Sequence, residues 1–466
     1  MSEELQRRWR NLLSWLGLDT QHLIVECKQV ATAGHGLFAS TACPPATLLF
    51  TIPADAMMNM ITLAPHYPPA ATEMLTATQF ISMHLFLWRP RAHEDSTDPH
   101  FGPYISTLPR CFDSHPLTWV VQSMDAASSH AAAHHVSLLQ QLPPSVAARL
   151  QQLRTKFSED WIQVKAVLLI QVTQTGLDMA WTPKISVDYL KTFDAVMDFL
   201  WAWLNVNTRC VYYRLRPLKS DRDNLTMCPI LDFANHAMDG PHLTPMPSGD
   251  SAVPMRSTEK GFKVYSPADA VVQGGDEVYL RYGFHSNRTL FAEYGFVNAM
   301  SEGALQINGE VDVFDLVEEI IYSDQQLGKI TKNALVMEGY WGNWSFHSTS
   351  DDAEPSWRLV TALRLHHLVA ASGGADDGSV SVWRDVVHGN REIVSEVNER
   401  AWKDTILHIC EVLIVRAQSH LGRESTNDVH EDDWVPWAHE NIRRLWREEV
   451  LVALAIKRTI LKDGKF

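Results

Sequence analysis

Residues 229–236 gather three different polar groups at the end of a short apolar run. They include the carboxylate of Asp232, the carboxamide of Asn235 and the imidazole of His236. Together these groups offer acceptors for an ammonium and donors for a carboxylate, so they can bind a zwitterion. A turn stabilised by local Asp and Asn side-chain hydrogen bonds is the alternative interpretation.

A second segment, Ala33-Gly34-His35-Gly36, places a glycine on each side of one residue. Glycine lets the backbone turn sharply or approach a ligand closely, because it has no Cβ atom. A β-turn explains the same pattern. The segment is not a dinucleotide-binding fingerprint, because the third glycine and the following helix are missing.

A third segment, residues 274–283, predicts a Gly-Gly turn that leads into a strand. The strand would end at Tyr282, which has a glycine beside it and can present its hydroxyl to a cleft. An edge tyrosine on an ordinary hairpin strand is the alternative interpretation.

The fourth segment follows directly and predicts a short helix that starts at Ser286 or Asn287 and ends at Gly295. The aromatic residues Tyr294 and Phe296 at its end offer flat faces for stacking. Packing of both side chains in the hydrophobic core is the alternative.

The composition excludes several classes of protein. The chain has 466 residues, 45% of them apolar and 20% charged, which excludes a disordered or collagen-like chain. Its net charge is −15, and no basic run is interleaved with aromatics, so we expect no binding to nucleic acid. No stretch is apolar over about 20 residues, and the first residues are acidic, so we expect neither a membrane span nor a signal peptide.

The cysteines and histidines predict no metal site. The six cysteines are scattered without a Cys-x-x-Cys pair, which argues against structural zinc and disulfides and favours a reducing compartment. We therefore expect the cytoplasm, with or without the nucleus. His130 and His134 are four residues apart, with His135 beside them, but no acidic or cysteine ligand is near, so we interpret them as incidental.

Hydrophobic periodicity predicts alternating blocks of secondary structure. An amphipathic helix is predicted over residues 3–17, followed by short strands over 23–53. Residues 110–210 are predicted to be helical, strand-like runs return over 227–296, and the chain is helical again beyond about 302. This order suggests a β-rich module with a helical insert and a helical C-terminal domain.

In this order and spacing, the four segments resemble the SET-domain methyltransferases of the Rubisco large-subunit lysine methyltransferase type. Further segments that resemble this family are residues 12–16, 52–53, 103–109, 201–209, 359–365 and 455–458. The likeness covers residues 5–300 well and 301–466 more loosely. It implies an α+β fold: a knotted β-rich SET domain with a helical insert, followed by an all-α C-terminal domain. The implied parts are an N-terminal packing helix (1–20), a SET domain (21–300, insert 110–210) and a helical substrate-binding domain (301–466).

The resemblance also implies a cofactor, S-adenosylmethionine, and a set of site residues. It assigns cofactor contacts to Ala33, Gly34, His35, Arg209, Asp232, Asn235, His236, Tyr294 and Phe296, and the catalytic role to Tyr282. Arg209 would bind the carboxylate of the cofactor, and Phe296 would stack on its adenine. Many relatives have Glu where this chain has Ala33, so we expect one side-chain contact to be lost.

The resemblance implies N-methylation of lysine in a folded non-histone protein that docks on the C-terminal helical domain of a monomeric enzyme. Val211 and Tyr213 would face the substrate. A histidine-methylating branch has Asn at the position of Val211, whose side chain cannot form hydrogen bonds, and this favours lysine. A histidine methyltransferase of the same fold is one alternative. An inactive SET-like scaffold that binds a protein partner is another, although the presence of Arg209 and Tyr282 argues against it.

Overall fold

The computed structural model describes residues 3–19, 23–30, 34–125, 129–173, 185–215, 223–247, 261–300, 307–374, 377–422 and 433–462. The chain divides into two compact units. The first unit contains residues 1–132 and 152–284, and the second contains residues 133–151 and 285–466. The unit boundary therefore falls after Phe284, earlier than the predicted domain boundary near 300, and part of the predicted insert groups with the second unit.

The first unit combines short strands with helices. Its strands are β1 (Val25–Val30), β2 (Gly34–Ala39), β3 (Leu48–Pro53), β4 (Met58–Asn59), β5 (Cys210–Tyr212), β6 (Leu225–Met227), β7 (Thr244–Pro247) and β8 (Gly261–Tyr265). Helices up to residue 209 are α1 (Glu3–Trp15), α2 (Met60–Leu63), α3 (Pro69–Met74), α4 (Ala77–Leu87), α5 (Gly102–Ile105), α6 (Pro116–Gln122), α7 (Ser129–Gln140), α8 (Pro144–Thr173) and α9 (Phe193–Arg209). Helices α7 and α8 each cross a unit boundary.

The strands of the first unit form small antiparallel sheets rather than one large sheet. Strand β1 pairs with β2, β8 lies between β3 and β7, and β6 lies between β4 and β5. Residues 277–280 add isolated bridges to Phe38, His236 and His242. The predicted strand before Tyr282 is therefore a series of single bridges that connects segments distant in the sequence.

The helical core of the first unit forms around α4, α8 and α9. Asp160 on α8 is buried and accepts hydrogen bonds from Gln79 Nε2 and Trp203 Nε1, both at 2.8 Å. Both donors are themselves buried, so the carboxylate satisfies polar groups that would otherwise be costly to bury. Helix α9 begins where Thr192 accepts a hydrogen bond from the N–H of Ala195, and it ends at Arg209. Arg209 therefore lies at the C-terminal end of α9.

The second unit is mainly helical. Its helices are α10 (Asn287–Tyr294), α11 (Phe314–Ile321), α12 (Gln325–Met337), α13 (Trp357–Ser372), α14 (Asp377–Val387), α15 (Glu396–Leu421) and α16 (Val435–Leu461). The prediction of a helical C-terminal region is confirmed, but the structure adds an antiparallel sheet that an all-α domain would lack. This sheet contains β9 (Gly309–Asp312), β10 (Ser345–Ser348) and β11 (Ala353–Pro355), with β10 in the centre. Its strands have three or four residues, which is too short for a clear alternation of apolar and polar side chains.

The core of the second unit is rich in tryptophan. Trp344, Trp383 and Trp402 are almost completely buried, and they pack with apolar residues of α13, α15 and α16.

The predicted short helix is confirmed as α10, which ends at Gly295 with a φ of 83°. Within the described ranges, no helix is long and apolar enough to span a lipid bilayer.

Candidate active site

Strand β2 brings the glycine segment into very close contact with two other segments. A Cβ atom on Gly36 would lie 2.5 Å from Oε1 of Glu277 and 3.1 Å from Nδ2 of Asn235. Only glycine fits at this position without displacing those side chains. Gly34 has a φ of 74°, in the left-handed region that favours glycine. Ala33 lies outside the described residues.

The carboxamide of Asn235 connects three distant parts of the chain. Its Nδ2 donates to the carbonyl oxygen of His35 at 3.1 Å and to Oε1 of Glu277 at 2.7 Å. The carbonyl oxygen of Asn235 accepts from the N–H of Leu280 at 2.8 Å. The side chain of Asn235 is therefore held at both the glycine segment and the segment that leads to Tyr282.

Tyr282 and His236 are adjacent in space. The N–H of Tyr282 donates to Nδ1 of His236 at 3.2 Å, and the two ring centroids are 5.2 Å apart. Nδ1 also lies 3.4 Å from the carbonyl oxygen of Leu280, but the shorter contact with an N–H makes Nδ1 the acceptor. The proton of a neutral ring then resides on Nε2. The hydroxyl of Tyr282 donates to the carbonyl oxygen of Ala234 at 3.0 Å.

Arg209 and Asp232 form a partly buried polar contact at the end of α9. Nη1 of Arg209 donates to the carbonyl oxygen of Asp232 at 2.7 Å and lies 3.6 Å from Oδ2 of its carboxylate. Oδ2 also accepts a hydrogen bond from the hydroxyl of Tyr104 at 3.0 Å. Burial raises the pKa of Asp232, and the positive charge of Arg209 only partly opposes this effect.

Two polar atoms at this contact are available for hydrogen bonds to a ligand. Nε of Arg209 and Oδ1 of Asp232 are buried, and neither has a hydrogen-bond partner among the described residues. Buried polar atoms are normally satisfied, so these two indicate a polar ligand. One is a donor that suits a carboxylate, and the other is an acceptor that suits an ammonium.

The backbone before Asp232 is strained. Ile230 has a φ of 68° and a ψ of −50°, and the N–H of Leu231 donates to the carbonyl oxygen of Pro229 at 2.8 Å. This is a rare γ-turn with positive φ, which is costly for a β-branched residue. Strain of this kind is concentrated at functional sites. It turns the chain sharply just before Asp232, Asn235 and His236.

His35 lies beside the same cluster. Its ring centroid is 6.1 Å from that of Phe233. Burial lowers the pKa of His35, and the positive charge of Arg209 lowers it further. The imidazole of His35 is therefore neutral over a wider pH range than an ordinary histidine.

The other predicted site residues have local contacts of their own. Val211 on β5 pairs with Thr226 of β6, and the ring of Tyr213 is 5.9 Å from that of Phe262. Tyr294 and Phe296 belong to the second unit, where their rings are 6.1 Å apart. Burial raises the pKa of Tyr294.

Two further residues touch the cluster, Glu277 and Tyr104, and neither is among the site residues predicted from the sequence. Both lie in segments that carry the predicted motifs, namely residues 274–283 and 103–109. The sequence does contain a signal for Glu277. It is two residues from Tyr279, and this spacing places both side chains on one face of an extended chain. Tyr104 gave no signal of its own, because its contact with Asp232 spans 128 residues.

The arrangement fits a zwitterionic amino-acid group such as the methionine part of S-adenosylmethionine. Arg209 offers a buried donor for the carboxylate, and Asp232 and Asn235 offer oxygen acceptors for the ammonium. Gly36 leaves space that any side chain would fill. The hydroxyl of Tyr282 donates to the carbonyl oxygen of Ala234, which lies on the same loop as Asp232 and Asn235.

Comparisons with known proteins find relatives named for a SET domain or for lysine methylation. The chain is 25% identical to human SET domain-containing protein 4 over 92% of this chain and 85% of the relative. It is also 25% identical to the ribosomal lysine N-methyltransferase set11 of Schizosaccharomyces pombe, over 78% of this chain and 76% of that protein. No family model matches the chain.

Solved structures show the same fold. The SET domain of LSMT bound to lysine and AdoHcy matches with a TM-score of 0.60 and 17% identity, over 99% of this chain and 92% of that chain. Rubisco LSMT bound to AdoMet matches with a TM-score of 0.55 and 18% identity over the same shares. The α+β fold that the sequence predicted is therefore confirmed.

Proposed function

We propose that this chain, a SET-domain protein-lysine N-methyltransferase of the Rubisco large-subunit methyltransferase type, acts on a folded protein that is not a histone. It uses S-adenosylmethionine, the cofactor that is bound in similar solved structures. The observation that carries the proposal is the joining of Gly36, Asn235, Glu277 and Tyr282 into one cluster beside the partly buried Arg209–Asp232 contact.

In this proposal the residues assigned to the cofactor have defined tasks. Arg209 binds the carboxylate of the cofactor by a charge-assisted hydrogen bond, and the oxygens of Asp232 and Asn235 accept from its ammonium. The backbone of Gly34 and His35 lies along the cofactor, where Gly36 permits a close approach. By the resemblance, Phe296 and Tyr294 are proposed to pack on the adenine.

The chemistry needs few protein groups. When bound, S-adenosylmethionine supplies a methyl group that is already electrophilic. The chain must hold the lysine amine in line for attack, and correct orientation alone contributes a large part of the rate. A protonated lysine cannot attack, and burial of its side chain lowers its pKa toward the neutral amine. The hydroxyl of Tyr282 is proposed to orient that amine.

One residue of this chain, Val211, favours lysine over histidine as the target. Val211 follows two residues after Arg209, where the histidine-methylating relatives carry Asn, and its side chain offers no hydrogen bond to an imidazole. Two relatives are named as ribosomal lysine methyltransferases, so ribosomal proteins are the first substrates to test. Such basic proteins would complement the net charge of −15 of this chain.

We further propose that the mainly helical second unit docks the whole substrate protein. The test incubates the purified enzyme with methyl-labelled S-adenosylmethionine and three substrates: a ribosomal protein fraction, a histone octamer and short lysine peptides. Label in a discrete ribosomal protein band, recovered as methyl-lysine after hydrolysis, is the expected result. Label in histones instead, or in methyl-histidine, would overturn the proposed target, and equal labelling of short peptides would overturn the docking role.

A further inference from the structure

We propose that Glu277 is a positioning residue that fixes which end of the Asn235 carboxamide faces the cofactor. This inference rests on the proposed assignment of Asn235 to the cofactor site. Glu277 itself is not one of the residues that the resemblance assigns. Glu277 is half-buried, and both of its carboxylate oxygens accept hydrogen bonds within the first unit.

The contacts of Glu277 are specific. Its Oε1 accepts from Nδ2 of Asn235 at 2.7 Å, and its Oε2 accepts from the hydroxyl of Tyr279 at 3.0 Å. The backbone of Glu277 forms an antiparallel bridge with Phe38 on β2. The carboxylate is thus held by its own backbone, by Tyr279 and by Asn235.

These contacts allow only one orientation of the carboxamide. Nδ2 of Asn235 faces two acceptors, Oε1 of Glu277 and the carbonyl oxygen of His35. If the amide were reversed, its oxygen would face both acceptors and be repelled, because none of the three atoms carries a hydrogen. The oxygen of Asn235 is therefore turned away from Glu277, in the orientation that an ammonium ligand requires.

The packing around Gly36 leaves Glu277 little freedom. Oε1 lies only 2.5 Å from the position that a Cβ atom of residue 36 would occupy. The carboxylate therefore lies directly against the strand that the cofactor is proposed to follow. Because the contact is so close, a displacement of the Glu277 side chain would also displace Asn235 and the backbone of β2.

The test measures binding of S-adenosylmethionine by calorimetry to wild type, Glu277→Ala, Glu277→Gln and the control Glu73→Ala, whose side chain is exposed in the same unit. We expect Glu277→Ala to raise the Kd by about tenfold or more, the usual order for losing a hydrogen bond to a charged group. Glu277→Gln keeps an oxygen for Nδ2 of Asn235, so we expect a Kd within about threefold of wild type. The kcat of Glu277→Ala at saturating cofactor should fall by less than about threefold, since only binding is affected.

An exchange of groups gives a second measurement that does not depend on how Glu277→Ala folds. Asn235→Asp places two carboxylates together and should weaken binding, whereas Asn235→Asp with Glu277→Gln restores a donor and an acceptor and should recover part of it. An unchanged Kd in Glu277→Ala, or equal losses in Glu277→Gln and in both Asn235 variants, would overturn the positioning role. A wild-type protein that does not bind S-adenosylmethionine would instead overturn the proposed function itself.

Discussion

The hydroxyl of Tyr282 donates a hydrogen bond to the carbonyl oxygen of Ala234 at 3.0 Å. The backbone N–H of the same tyrosine donates to the ring of His236. The loop of residues 234–236 therefore fixes both ends of Tyr282. Its hydroxyl has a defined position before any substrate arrives, which is what orientation of an amine requires.

Replacing Tyr282 with Phe should remove this orientation and leave the fold intact. We expect Tyr282→Phe to reduce methyl transfer by at least about tenfold, equivalent to about 1.4 kcal/mol of barrier. The measurement is label incorporation at saturating cofactor, together with a thermal denaturation curve. Tyr212→Phe is the matched control, because Tyr212 is exposed on β5 and should keep full activity. Unchanged turnover in Tyr282→Phe would remove this residue from the catalytic role.

Replacing Arg209 with Lys tests the proposed carboxylate contact. Lysine keeps the charge but not the planar fork, so it cannot donate to the carbonyl oxygen of Asp232 and to a ligand in the same geometry. We expect Arg209→Lys to raise the Kd for S-adenosylmethionine by about 10- to 100-fold. The control is Arg10→Lys on the exposed face of α1. Binding as tight as in wild type would show that Arg209 does not hold the cofactor.

Adding one methyl group at Gly36 should damage the site by steric overlap. The new Cβ atom would contact Oε1 of Glu277 at 2.5 Å and Nδ2 of Asn235 at 3.1 Å. We expect Gly36→Ala to lower the stability by about 1–3 kcal/mol, the usual cost of overpacking, and to weaken cofactor binding. Urea unfolding measures the loss of stability, and calorimetry measures the weaker binding of the cofactor. Gly374→Ala is the control, because a Cβ atom there meets no atom within 4 Å; equal behaviour of the two variants would contradict the close packing.

Some of these relationships could be predicted from the sequence, and others could not. Helix α10 follows from local signals, since Ser286 precedes it and Gly295 ends it with a positive φ. The contacts Arg209–Asp232 and Asn235–Glu277 span 23 and 42 residues, and no local pattern encodes which side chains meet at such distances. The resemblance to a family supplied Arg209, Asp232 and Asn235, but neither Glu277 nor the hydrogen bonds that orient these side chains.

The sheet of the second unit was missed for a different reason. Strands β9, β10 and β11 have three or four residues each, and the single hydrophobic residue of β10, Phe346, is also compatible with a helix. The sheet exists because its central strand is paired on both sides and Phe346 is completely buried. Tertiary packing thus overrides a weak local preference.

Target choice can be tested at Val211. We expect Val211→Asn to raise methyl transfer to a substrate whose target lysine is replaced by histidine by at least about threefold, since one neutral hydrogen bond contributes about 0.5–1.5 kcal/mol. Amino-acid analysis of the labelled product distinguishes methyl-histidine from methyl-lysine. Val211→Ala creates space without a hydrogen-bonding group and should give no gain. If Val211→Asn methylates the histidine substrate no faster than the wild type does, residue 211 does not determine the choice of target.

The second unit contains a buried acidic pair that should make its stability depend on pH. Glu448 and Glu449 on α16 are each about 3% exposed. Burial raises the pKa of Glu448 to about 8 and that of Glu449 to about 7, from 4.5. Glu448 Oε1 lies 3.3 Å from the N–H of Glu310, and Arg416 lies 3.6 Å from Glu449. Repulsion between the two glutamates adds to the shift of Glu448.

The sign of the effect follows from the direction of these shifts. Between pH 4.5 and about 8 the folded state binds more protons than the unfolded state, so the free energy of unfolding falls as the pH rises. We expect the Tm to decrease by at least about 3 °C between pH 6 and pH 8.5. Glu448→Gln stays neutral at every pH and should reduce this decrease, whereas Glu440→Gln, at an exposed position of the same helix, should leave it unchanged. A Tm that rises over this range, or the same decrease in Glu448→Gln as in wild type, would show that Glu448 is ionised in the folded protein.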